Sequence, residues 1–302
     1  MRIPSLLCTL LFAAAAAASP RESLVVSPAW LASHLKDANL VLLHVGDKAG
    51  YDEKHIPGAR HVTLADISTS DHSGQGLMLE MPPADDLKAR LEKLGISDDS
   101  RVVVYYGKDW VSPTTRVIFT LDYAGLGDRA SLLDGGLGAW VKAGHAVTAE
   151  VPAARAGKLS PLKIKPLVVD AAYVRANLNK KGTAVIDGRT PAFYDGAETG
   201  GSHDTPHRTG HIAGARNVPY SQITDEALAV RPAEELRALF EKAGVKPGDT
   251  VVGYCHIGQQ ATLMLFAART LGHPVLLYDG SFEDWSRQKD APVEKTAEKS
   301  TP

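Results

Sequence analysis

Short apolar runs bounded by turn residues recur along the chain: LVLLHV from Leu40, RVVVYY from Arg101, ASLLDG from Ala130, then TAVIDG from Thr183, DTVVGY from Asp249 and PVLLYDG from Pro274. Each has the length and the Val/Leu/Ile content of a buried strand. Between them lie stretches whose apolar positions recur at helical spacing. PAWLASHLKD follows Ser27, a capping residue, and begins with proline, which suits the first helical turn. PAEELRALFEKAG follows Arg231 and stops at Gly244, and LMLFAARTLG stops at Gly272. Strands alternating with helices predict an α/β fold, a parallel sheet covered by helices on both faces.

The pattern occurs twice. LEKLGISDDSRVVVYY, ending at Tyr106, matches FEKAGVKPGDTVVGYC, ending at Cys255, without a gap at an offset of 149. EKHIPGARHV around His55 matches TGHIAGARNV around His211 at 156, and LLDGGLGAW around Asp134 matches LYDGSFEDW around Asp279 at 145. Three matches in one order, at a period far longer than any solenoid repeat, predict a duplicated domain. The first copy is placed at 23–149 and the second at 167–290. EVPAARAGKLSPLKIKP, 150–166, lacks periodicity and reads as the linker. A polar tail, 291–302, is expected to fray.

With 302 residues, 44% hydrophobic, the chain has material for two cores, and a formal net charge of -2 with interspersed signs offers no basic stripe for nucleic acid. The partner is expected to be a small molecule or a protein, and the chain a monomer. MRIPSLLCTLLFAAAAAAS combines one cation, an apolar run and small residues suited to cleavage near Ala18. Residues 1–18 therefore read as a secretory signal, with Cys8 inside it. No other stretch is apolar enough to span a membrane. The expected location is the periplasm, with no membrane attachment after cleavage.

Cys255 is then the one cysteine left, and an oxidising compartment offers it no disulfide partner within the chain. It stands on a strand-to-helix turn, GYCHIGQQAT, where unpaired N–H groups and the positive helix end favour a thiolate. That makes it a candidate nucleophile. Tyr106 holds the equivalent place in the first copy, and a phenol titrating near 10 does not substitute for a thiol.

VIDGR (Val185 to Arg189), GHIAGARNVP (Gly210 to Pro219), the loop YCHIGQQAT and DGSFEDW (Asp279 to Trp285), in this order, resemble the motifs of the rhodanese family. The resemblance is to its tandem-domain sulfurtransferases of exported bacterial type, whose first domain is inactive. It implies two rhodanese-like domains and transfer of a sulfane sulfur through a cysteine persulfide. The donor would be thiosulfate or 3-mercaptopyruvate and the acceptor cyanide or a thiol, without cofactor or metal. Cys255 would be nucleophile and persulfide carrier, cradled by the backbone of His256, Ile257, Gly258, Gln259, Gln260 and Ala261. Successive inward N–H groups make an anion site, and Gly258 permits the curl. Arg189 and Arg208 are candidates for the donor's anionic end, with an ion pair to Asp187 the alternative for Arg189. Ser281 is a candidate hydrogen-bond donor to the sulfur, and Trp285 a packing residue. The loop holds His256 and glutamines where thiosulfate enzymes of the family carry basic residues, so the donor stays open.

His55 and His211, repeated in both copies, read as structural, with a lesser alternative in which His55 and Asp47 or Asp52 reach the site. His203, His207 and His211 stand four apart, but Gly201, Pro206 and Gly210 forbid the helix that would gather them on a metal, and a solvated loop is expected. A phosphatase would need a loop arginine, and none follows Cys255 before Arg269. The remaining alternative is a periplasmic sulfur or polysulfide carrier with little turnover of its own.

Overall fold

A computed structural model describes residues 20–73, 76–201 and 206–296; the leader with Cys8, His203, and the last residues of the tail lie outside them. The first half forms β1 (Val25–Val26), β2 (Leu40–Val45), β3 (Arg60–Val62), β4 (Arg101–Tyr106) and β5 (Ala130–Leu133), in the order β1-β5-β4-β2-β3. The second forms β6 (Val168–Val169), β7 (Thr183–Asp187), β8 (His211–Ile212), β9 (Arg216–Asn217), β10 (Thr250–Tyr254), β11 (Val275–Tyr278) and β12 (Val293–Glu294). Here the sheet order is β6-β11-β10-β7-β9, the same arrangement, and every pairing within both sheets is parallel.

Alternation along each central strand divides its side chains between two cores. Val103 and Tyr105 point to one face, packed with Leu31, Leu137 and Trp140. Val102, Val104 and Tyr106 point to the other. In β10, Val252 and Tyr254 share a core with Phe282 and Trp285, whereas Val251 and then Cys255 fall on the opposite side. That side is common property: the faces carrying Tyr106 and Cys255 join one continuous apolar cluster from both halves. Its middle is formed by the helices Val111–Tyr123 and Gln260–Thr270. Both are buried almost all round, as helices sandwiched between sheets must be. Thr115 Oγ1 and Thr262 Oγ1 meet between them at 3.1 Å.

The contacts across this seam are reciprocal. Met81 N donates to Asp279 Oδ2 at 3.0 Å, and in the matching place Val230 N donates to Asp134 Oδ1 at 2.8 Å. Leu79 and Leu228, two residues earlier in each segment, both have positive φ, 60° and 62°. The stretch between the halves is irregular but tied to the first: Leu159 N donates to Glu92 Oε1 at 2.8 Å and Lys165 N to Tyr123 O at 2.8 Å.

The tail departs from the sequence reading. Val293–Glu294 pairs antiparallel with His211–Ile212, so its first residues are ordered. A two-residue strand is too short for any period to reveal it.

Candidate active site

Cys255 follows the last residue of β10 and is completely buried. Its own amide is fixed, N to Ser281 Oγ at 3.2 Å, and its carbonyl accepts from Phe282 N at 3.0 Å. The chain then turns through His256 to Gln259 into the Gln260–Thr270 helix. Among the described residues no hydrogen bond occupies the backbone N–H of residues 256 through 261. Six consecutive donors without an acceptor, beside a buried sulfur and at a helix N-terminus, are suited to hold an anion. Gly258 makes the turn possible with φ 79°; a Cβ there would also come within 2.9 Å of Asp279 O and Oδ1.

A cavity of about 450 Å³ lies over this loop, between the two halves. The second half contributes His207, His256, Ile257, Glu283 and Arg287, and the first half Asp71, His72 and Met78. Glu283 ties the walls together, accepting from Met78 N at 3.0 Å through Oε2 while Oε1 pairs with Arg287 at 3.1 Å. His207 and His256 have their rings 5.8 Å apart, and Phe193 meets His256 edge-on. Burial, then the nearby Arg189 guanidinium, pushes both imidazoles down to about 4, so they are neutral at pH 7. The Nδ1 atom of each is buried without a partner. A larger cavity of about 590 Å³, lined by Lys48, Arg60, Arg90 and Lys93, lies in the first half and does not include the cysteine loop.

Two of the sequence-derived assignments change, Arg208 and Ser281, and for Arg189 the structure has the alternative, the ion pair to Asp187. Arg189 is fully buried and holds Asp187 through Nε and Nη2, the latter at 2.6 Å, while Nη2 also donates to Gly210 O at 2.8 Å. Its guanidinium stacks on Phe282, and its charge acts on the cavity as a fixed background rather than through the cavity lining. Arg208 is not a cavity residue: it donates to Ala291 O and Trp285 O, clamping the tail to the domain. Ser281 does not donate to the sulfur, because its hydroxyl proton goes to Tyr278 O at 2.9 Å and its oxygen accepts the Cys255 amide. It positions the cysteine's backbone instead.

The two described histidines of the trio also differ from the solvated loop expected; His203 lies outside the described residues. His207 and His211 are buried, His211 against Tyr194 O at 2.7 Å, and of these two His207 reaches the cavity and His211 does not. His55 repeats the arrangement of His211, with Nδ1 at 2.7 Å from Tyr51 O and stacking on Tyr51. Asp47 caps a helix through Gly50 N and Asp52 pairs with Lys48, so neither joins the cavity. Among the described residues no group of three or more His, Cys, Asp or Glu is arranged for a metal ion. The sequence reading places His207 in a solvated loop and does not find Arg287, Glu283, Asp71, His72 or Met78. Arg287 alone carries a signal, two positions after Trp285 in a repeated motif.

Comparison with known proteins gives a consistent result. The Rhodanese-like domain matches residues 27–143 and 170–288. A thiosulfate sulfurtransferase of Pseudomonas aeruginosa is 31% identical over 274 residues, covering 90% of this chain and 97% of its own length. The sulfur carrier protein TtuD of Thermus thermophilus is 31% identical over 288 residues, 91% of this chain and 97% of its own. A probable 3-mercaptopyruvate sulfurtransferase of Pseudomonas aeruginosa is 32% identical over 247 residues, 80% and 85%. Among solved structures, the crystal structure of YnjE superposes with a TM-score of 0.80 at 26% identity, covering 92% of this chain and 69% of that one.

Proposed function

This chain belongs to the rhodanese family and is a sulfurtransferase, and on that premise we propose that Cys255 carries the transferred sulfur as a persulfide, with thiosulfate as donor. The Cys255 thiolate attacks the outer sulfur of thiosulfate. The donor's S–S bond breaks and its electron pair leaves with sulfite. An acceptor, cyanide or a thiolate, then attacks the outer sulfur of the persulfide and returns the electron pair to Cys255. The observation that carries this reading is the run of unoccupied N–H groups from 256 to 261 beside the buried sulfur. Hydrogen bonds to an anion contribute about 1.5–3 kcal/mol each, so a few of them offset the burial of a persulfide. Both cavity imidazoles being neutral, the donor's charge is met by these amides.

Thiocyanate formation from thiosulfate and cyanide, compared with mercaptopyruvate under the same conditions, tests the donor; faster turnover with mercaptopyruvate overturns it. One observation favours a second reading, a sulfur carrier: the sulfur is wholly covered, which shields a persulfide from stray acceptors, and one relative bears that name. Negligible turnover with both donors, together with a persulfide on the isolated protein, selects the carrier. We further propose that the chain is exported through residues 1–18 and works as a monomer. A processed N-terminus near Ala18 in a periplasmic fraction, and the sedimentation mass, test these two points.

A further inference from the structure

Arg116 is a charged residue in an apolar helix of the half that lacks the cysteine, and it is completely buried. Its Nη1 donates to Asp279 Oδ1 at 2.6 Å and to Gly258 O at 3.0 Å, and its Nη2 donates to Leu79 O. Gly258 is the residue at which the cysteine loop reverses, and Asp279 stands two residues before Ser281, which holds the Cys255 amide. One guanidinium therefore connects the loop, the segment behind the cysteine and the first half's own 79–81 segment. Two further contacts from the same helix face reach the same turn: Gln259 Nε2 to Ser112 Oγ at 3.1 Å, and Thr262 Oγ1 to Thr115 Oγ1.

A peptide carbonyl and the following N–H point to opposite sides of the chain within one rigid peptide plane. A donor that fixes the Gly258 carbonyl thus fixes the Gln259 N–H as well, and restricts the amides beside it. A glycine at positive φ has alternatives close in energy, so such a turn needs an external tie to keep one orientation. We propose that Arg116 is a positioning residue for sulfur transfer, by which the cysteine-less half holds the 256–261 amides in their anion-binding arrangement. This deepens the persulfide reading and rests on it. The guanidinium is suited to the task because its planar fork serves a carboxylate and two carbonyls at once; an ammonium does not cover the same three acceptors.

The reciprocal contact in the other direction supplies a control. Tyr106 Oη donates to Leu228 O at 2.7 Å, matching the Arg116 bond to Leu79 O, but it makes no hydrogen bond to the cysteine loop. The test uses the full chain carrying Arg116→Lys, the double variant Arg116→Met with Asp279→Asn, which leaves no buried unpaired charge, and Tyr106→Phe. Folding is followed by circular dichroism, and single-turnover persulfide formation is measured with thiosulfate. The pH profile of Cys255 alkylation by iodoacetamide supplies a readout independent of the donor.

For Arg116→Lys and for the double variant we expect persulfide formation slowed by roughly ten- to a hundredfold and the alkylation profile moved to higher pH. Tyr106→Phe should keep the wild-type profile. Wild-type rate and profile in either folded Arg116 variant, or an equal shift in Tyr106→Phe, overturns the proposal. If the parent chain itself forms no persulfide with any donor, the persulfide reading fails first, and the alkylation profile still decides whether Arg116 sets the state of the thiol.

Discussion

The two halves end their central strands at the same place with opposite content. In the second, Cys255 is followed by six unoccupied amides; in the first, Tyr106 fills the space with a ring, and the loop spends its own amides, Gly107 N on Val45 O and Trp110 N on Gly107 O. Beside them, the second half buries the Asp187–Arg189 ion pair, where the first has a neutral imidazole, His44, hydrogen-bonded to Tyr105 Oη at 3.0 Å. Burial and the neighbouring His61 and His55 push His44 down to about 4. Behind the turn, Ser281 adopts φ 52° and Gly136 adopts φ 54°. Gly136 has no choice, since a Cβ would come within 2.5 Å of the Tyr106 ring. Ser281 keeps its side chain in a left-handed conformation because the hydroxyl holds the Cys255 amide. At the strand end itself, the catalytic half thus has a left-handed serine, a buried ion pair and unpaired donors where the other half has a glycine, a neutral imidazole and paired amides.

The sharpest test of this contrast exchanges the sulfur. Cys255→Ser should abolish transfer while leaving the melting temperature nearly unchanged, and adding Tyr106→Cys to it should restore nothing. Thiocyanate formation by the double variant would show that a thiol at either strand end suffices.

Arg189→Ala comes next. Removing one partner of a buried ion pair leaves Asp187 uncompensated, so a loss of about 3–5 kcal/mol in unfolding free energy is expected. His44→Ala, at the first half's counterpart of Asp187, should cost less. Denaturant titration decides, and equal losses would erase the distinction between the two halves.

Ser281→Ala should cost about 1–3 kcal/mol by orphaning the Cys255 amide. Ser281→Gly loses the same bond but relieves the left-handed strain, so it should be more stable than the alanine variant by about 1 kcal/mol. The reverse order would remove strain from the account.

The smallest effect concerns Glu80 at the seam, whose carboxyl is raised to about 7, first by burial and then by the nearby Asp279. A carboxyl with a raised folded pKa keeps its proton after the unfolded chain has released it, so stability falls as pH rises from 4.5 through about 7. Glu80 is half-buried, and solvent screens part of the effect. Glu80→Gln should therefore gain about 1–2 kcal/mol on the parent at pH 8 and nothing at pH 4. A gain that does not vary with pH would sink the assignment.

Much of this is legible in the sequence. Val102 to Tyr106 and Val251 to Cys255 announce strands through their apolar runs, and the internal repeat by itself sets Tyr106 opposite Cys255. What a sequence does not carry is the choice of partner. Arg208 and Ser281 have groups suited to a substrate, yet each is taken by a neighbour, the Ala291 and Trp285 carbonyls and Tyr278 O, and of the two partners open to Arg189 it is Asp187 that takes it. Arg116 escapes notice, and His207 is read as solvated, for the converse reason. Arg116 meets partners more than a hundred residues away, and His207 lies among glycines and prolines that read as loop.

The reciprocal Asp134 and Asp279 contacts have the form of an isologous dimer interface written into a single polypeptide. Two separate subunits with that interface would dissociate on dilution and would carry the cysteine in both or in neither. Joining them makes the encounter intramolecular, at an effective concentration set by the connecting segment. It also lets one copy give up chemistry without depriving its neighbour of a mate.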